Sequence, residues 1–149
     1  MAKNMTMNPA ECAAEIDRIL AAHVGREGAL LPILHDIQAA VGHVPESSIP
    51  TIAQALNLSR AEVHGVISFY HDFHVEPHTH PVIKLCRSES CQARGVDALA
   101  ETLAGETRVK IEPIYCLGLC TVGPNAMVGE TLYARLDAAK LSALVESVA

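Results

Sequence analysis

Tryptophan is absent from this sequence, and the other aromatic rings are scarce at two Phe and three Tyr. A core without large rings has to be assembled from Leu, Ile, Val and Ala, packed by close interdigitation. Basic residues are also few: eleven Lys and Arg stand against seventeen Asp and Glu, a formal net charge of −6 with neutral His. They form no run. Phosphate neutralisation needs clustered cations, so nucleic acid is excluded as a partner. The same shortage argues against an anionic membrane surface. Long apolar runs are missing as well. A membrane-spanning helix takes about 20 consecutive apolar residues, whereas the candidate stretch Ala29 to Leu34 is short and holds Pro32. Residues 1–8 carry one Lys and no apolar h-region, so no signal peptide is expected. The reading is a cytoplasmic protein without membrane insertion.

Nucleotide and hydrolase signatures are lacking too. The chain has no G-x-G-x-x-G, no P-loop and no Ser–His–Asp order. It therefore offers no site of its own for NAD, FMN or ATP, and no catalytic residue is assigned. What it does have is 149 residues, half of them apolar, enough to bury a core without disulfides.

The hydrophobic period changes near His78 to Pro81, which places a helical segment at 1–77 and a mixed domain at 78–149. Asn8-Pro9-Ala10-Glu11 is a helix start, with Asn as N-cap and Pro at the first helical position. Further helices are expected over Gly28 to Val41, from about Ser48 to Leu56, and from the Ser59/Glu62 capping box to Tyr70. Beyond the boundary, Pro81 to Cys86 reads as a strand, Val96 to Leu103 as a helix and Arg108 to Ile114 as a strand. Ala126–Val128 and Leu132–Arg135 flank Gly129-Glu130 as a hairpin, and Asp137 caps a last helix. The fold class is α+β: a small helical bundle followed by an α/β domain of thioredoxin type.

Five cysteines in a reducing compartment point to metal or redox chemistry rather than disulfides. Four fall into two pairs, Cys86-x4-Cys91 and Cys116-x3-Cys120, at strand ends or in the loops just after them. A [2Fe–2S] cluster needs four thiolates, two per iron, and Gly118 lets backbone approach the second pair. Zinc also accepts four thiolates, although its sites favour C-x2-C knuckles that neither pair matches. A dithiol enzyme would want C-x-x-C ahead of a helix, and none exists. Cys12 has no sequence neighbour and reads as helix packing.

Gly42-His43-Val44-Pro45, then Ile52-Ala53 and Leu56, then Val63-His64-Gly65-Val66 and Phe69-Tyr70, resemble the E-subunit family of NADH:quinone oxidoreductase. So does the ordered C-x4-C and C-x3-C pattern with Leu117-Gly118 inside the second pair and Gly123-Pro124 nearby. The likeness spans roughly Gly25 to Arg135. It implies a thioredoxin-like [2Fe–2S] ferredoxin preceded by helices, with the cluster on Cys86, Cys91, Cys116 and Cys120. It further implies a larger FMN- and NAD-binding flavoprotein subunit as partner within a multi-subunit complex. Such subunits occur in complex I, NAD-reducing hydrogenases and NAD-dependent formate dehydrogenases. The short chain and Phe69-Tyr70-His71-Asp72-Phe73 look most like the gamma subunit of the last. On this reading the chain is a non-catalytic electron carrier. It departs from the family after Phe73, where a usual Pro-x-Gly step is replaced by Pro77-His78-Thr79-His80-Pro81.

His71, His74, His78 and His80 form a tract that reads as a polar linker in preference to a Zn or Ni site. Phe69 and Tyr70 are expected to pack in the core or between domains. Arg87 and Glu89, between the first two cysteines, are expected to be solvated.

Overall fold

The computed structural model describes residues 7–149; the reading of the first six residues lies outside it. The chain forms two compact units that divide between His78 and Thr79. Among the described residues no helix is long and apolar enough to cross a membrane.

The first unit contains α1 (Pro9–Ala22), α2 (Leu30–Val41), α3 (Ile49–Leu56) and α4 (Arg60–Phe69), with a 3-10 turn at Glu46–Ser48. Two reciprocal capping boxes start α1 and α4. Asn8 Oδ1 accepts from the Glu11 N–H at 2.9 Å while Glu11 accepts from the Asn8 N–H at 3.0 Å. Ser59 and Glu62 repeat the exchange at 3.2 and 2.7 Å. Helix α2 begins two residues later than its periodicity suggests, because Gly28 holds a left-handed φ of +65° that no helix can include. The core is aliphatic, as the aromatic shortage requires. Ile33, Leu34, Ile37, Val44, Ile52 and Val63 are wholly buried, and each such side chain contributes about 1.5–3 kcal/mol of transfer free energy.

For Phe69 and Tyr70 the expectation of core packing needs correcting. Phe69 is 73% exposed and Tyr70 43% exposed, since α4 turns only Val63 and Ile67 fully inward. The ring that does enter the core is Phe73. Its segment is fastened to α2 by Gln38, which donates to the Asp72 carbonyl and accepts from the His74 N–H at 2.8 Å. The start of the histidine tract is therefore anchored structure rather than free linker.

The second unit carries β1 (Val82–Cys86), α5 (Glu89–Gln92), α6 (Val96–Thr102), β2 (Lys110–Ile114), β3 (Ala126–Val128), β4 (Thr131–Tyr133) and α7 (Ala138–Val148). The sheet order is β2-β1-β3-β4. β1 pairs in parallel with β2, Ile83 opposite Ile111 and Cys86 opposite Ile114, while β1–β3 and β3–β4 are antiparallel. Central β1 is the most buried strand, with Ile83, Leu85 and Cys86 all at 2% exposure or less. They share a core with Val96 of α6 and Leu141, Leu144 and Val145 of α7. Helices beside a four-stranded mixed sheet agree with the expected thioredoxin-like unit preceded by helices. Helix α5 was not legible, because four residues carry no period.

Candidate metal centre

Parallel pairing brings the ends of β1 and β2 side by side, so the segments that leave them start from one edge of the sheet. β1 ends on Cys86 itself. The chain then turns through Ser88 into α5, where Cys91 sits on a helix rather than in the expected loop. Cys86 and Cys91 are 2% and 1% exposed. The second pair follows β2: Cys116 and Cys120 lie on an exposed loop, with Cys120 opening a 3-10 turn. Ser90 Oγ donates to the Cys120 carbonyl at 3.0 Å and ties the two segments together.

The second loop is folded back on its own sulfur. Cys116 adopts φ +80° and Gly118 φ +74°, and this turns the Gly118 N–H toward Cys116 Sγ at 3.4 Å. A left-handed cysteine costs on the order of 1–3 kcal/mol and persists only where its surroundings impose it. Cys116 Sγ and Cys120 Sγ stand 3.8 Å apart. That is far beyond a disulfide bond of about 2.05 Å. It is the separation of two thiolates on one tetrahedral metal with bonds of about 2.3 Å, roughly 3.8 Å by simple trigonometry.

The thiols also feel one another. Burial raises the Cys86 pKa, yet hydrogen bonds from the Ser88 and Cys116 backbone, the Ser88 hydroxyl and the Cys91 thiol outweigh it and bring the group to about 7. Cys91 is pushed up by burial, by its bond to Cys86 and by the charges of Cys86 and Cys120, with a hydrogen bond from the Asn125 backbone N–H acting in the opposite sense. Cys120 is raised by its contact with Cys116, then by the Cys116 charge, burial and the Cys86 charge. Four sulfurs that repel one another as thiolates, surrounded by N–H and O–H donors, suit a cationic centre in their midst. The donor set fits a metal or iron–sulfur group, and the sulfur spacing alone does not choose between iron and zinc.

Other residues the sequence singled out stand apart. Arg87 pairs with Asp97 at 2.7 Å, and Glu89 is exposed in the first turn of α5. Cys12 packs partly buried against the helical core, its pKa raised by burial. The His74 and His78 rings meet edge to face at 4.1 Å, and His80 Nδ1 pairs with Thr79 Oγ1 at 2.8 Å.

Ser88, Ser90, Gly123 and Asn125 were missed by sequence reasoning. For Gly123 a signal existed, the Gly-Pro turn after the last cysteine, but not its purpose. A Cβ there would lie 3.2 Å from Cys91 Sγ and 3.2 Å from Arg94 Cδ. The arginine chain can swing aside, whereas the Cys91 sulfur is buried in the core of the second unit and has little room to give. Gly123→Ala is expected to lower the metal content of the full chain by about 10-fold or more, the scale of a disturbed outer shell. Metal analysis of the purified variant checks it, and wild-type content would show that Cys91 Sγ is free to move.

Comparisons with known proteins bear on the fold and the family. A family profile described as thioredoxin-like [2Fe–2S] ferredoxin matches residues 16–149. The second NADH-quinone oxidoreductase E-subunit of Rhizobium meliloti is 34% identical over 144 residues, covering 89% of this chain and 86% of the relative. NADP-reducing hydrogenase subunit HndA of Solidesulfovibrio fructosivorans is 28% identical over 119 residues, covering 72% and 70%. Among solved structures, an NAD+-reducing [NiFe]-hydrogenase in the H2-reduced state superposes with TM-score 0.68 at 25% identity. The match covers 80% of this chain but only 22% of the hydrogenase chain.

Proposed function

This chain belongs to the thioredoxin-like [2Fe–2S] ferredoxin family, and on that premise we propose that Cys86, Cys91, Cys116 and Cys120 hold its cluster. The 3.8 Å approach of Cys116 and Cys120 carries the proposal; these two would hold the group from the exposed loop, and Cys86 with Cys91 would hold it from the buried side. The group supplies one-electron oxidation and reduction when bound. The residues of the chain do the rest. Cys86 and Cys91, buried at the end of β1 and in α5, exclude water from one side. Ser88 and the backbone N–H groups of Cys116 and Gly118 donate toward sulfur and favour its charged form. The exposed loop from Cys116 to Cys120 supplies the face through which electrons enter and leave.

The assembly follows from the same reading. The protein is a cytoplasmic electron-carrying subunit of an NAD-linked multi-subunit oxidoreductase, and its electron partner is an FMN- and NAD-binding flavoprotein subunit. Relatives named for NADH-quinone oxidoreductase and for hydrogenases support the NAD-linked class. The resemblance of the Phe69–Phe73 segment to the gamma subunit of NAD-dependent formate dehydrogenases supports formate as the terminal substrate of the complex over hydrogen or quinone. A tagged full-length chain, captured anaerobically from its native host, is expected to bring down an FMN-containing subunit and NAD-dependent formate oxidation. Hydrogen-dependent or quinone-dependent activity in place of formate oxidation would overturn the subtype. Absence of any flavoprotein would overturn the partner.

A further inference from the structure

Asn125 is a costly residue to bury. It stands at the entrance to β3, 1% exposed, one of two fully buried polar residues in the described chain. Its Oδ1 has no hydrogen-bond partner. An unsatisfied buried acceptor costs about 1–3 kcal/mol, and an apolar side chain of the same shape would avoid that cost.

The other end of the side chain explains why an amide is there. Nδ2 donates to the Leu119 carbonyl at 2.8 Å and toward Cys91 Sγ at 3.7 Å. Exchanging the amide oxygen and nitrogen would set Oδ1 against the Leu119 carbonyl, two acceptors face to face, so the orientation is fixed by the network. The Asn125 backbone carbonyl also accepts from the Cys86 N–H at 2.9 Å. One residue thus touches the strand that ends on Cys86, the sulfur of Cys91 and the loop between Cys116 and Cys120. No other described residue does all three through hydrogen bonds.

We propose that Asn125 is a positioning residue for the electron transfer: its amide, held by the Leu119 carbonyl, keeps a hydrogen-bond donor on Cys91 Sγ and so raises the reduction potential of the centre. This rests on the ligand assignment above. A donor on a thiolate favours the more negative, reduced state of the centre, because the added electron increases charge on sulfur. The orphaned Oδ1 is the cost of presenting Nδ2 in a space that admits no partner on its other side.

The test is a redox titration of the anaerobically purified full chain, followed by EPR, with iron and sulfide measured in the same samples. In Asn125→Leu the loaded centre is expected to show a reduced-to-oxidised ratio about tenfold lower at the wild-type midpoint, a shift of about 59 mV for one electron. A purely structural role would lower cluster content and leave the potential of the loaded fraction in place; that result overturns the proposal. A second measurement needs no variant. Wild-type protein labelled with 15N only in asparagine side chains is expected to show a weak nitrogen coupling to the reduced centre by pulsed EPR, lost in Asn125→Asp. Absence of the coupling from wild type overturns the proposal. Cys91→Ser separates the two levels of the argument. If that variant keeps the wild-type centre, the ligand assignment fails and this proposal falls with it. If it loses the centre while Asn125→Leu keeps the wild-type potential, only the role of Asn125 is wrong.

Discussion

Cys86→Ser and Cys91→Ser are expected to leave the full chain with at least about 100-fold weaker retention of iron and sulfide, at or beyond the upper end of what outer-shell changes cost. The physical reason is burial. Both side chains are at most 2% exposed, so a serine hydroxyl there has no water to help ionise it and remains a poor ligand. Cys116→Ser and Cys120→Ser should be milder, because their loop is exposed and solvent can complete the coordination; a weakened, spectrally altered centre is the expected result. Cys12→Ser should change nothing at the centre, since Cys12 packs with the helical core. Iron and sulfide analysis with visible spectra of all five variants checks the order. Loss of the centre in Cys12→Ser, or equal tolerance at all five positions, would contradict the assignment.

The second large effect concerns stability. Leu34 has no exposed surface, and Leu34→Ala is expected to cost about 3 kcal/mol through lost transfer free energy and a residual cavity. For a unit of this size that is a fall of roughly 12–24 °C in the helical melting transition, read by circular dichroism. Phe69→Ala is the paired control. A ring that is 73% exposed has little transfer energy to lose, and the change should stay within about 0.5 kcal/mol. A large destabilisation by Phe69→Ala would restore the core packing that was one of the two roles expected of this ring.

That reversal shows where sequence reasoning reaches its limit. The N-cap at Asn8 and the capping box at Ser59/Glu62 were legible because they are local, closed within three residues. The cysteine pairs were legible for the same reason. Phe69 and Tyr70 were misjudged because hydrophobicity says that a ring prefers burial, not that the helix has room for it. α4 spends its inward face on Val63 and Ile67, and the available ring-sized space goes to Phe73. Gly123 and Asn125 were invisible as site residues for a different reason. Their importance comes from a distance to Cys91, which lies far away in sequence and close only after β1 and β3 pair. Helix α5 escaped because its ordering comes from backbone bonds to Ser88 rather than from any apolar period.

The most direct test is the metal inventory of the full chain purified without oxygen. Two irons and two acid-labile sulfides per chain, a reddish-brown visible spectrum, and an EPR signal that appears only after one-electron reduction are the predicted result. A colourless protein holding one zinc on the same four cysteines would contradict the account.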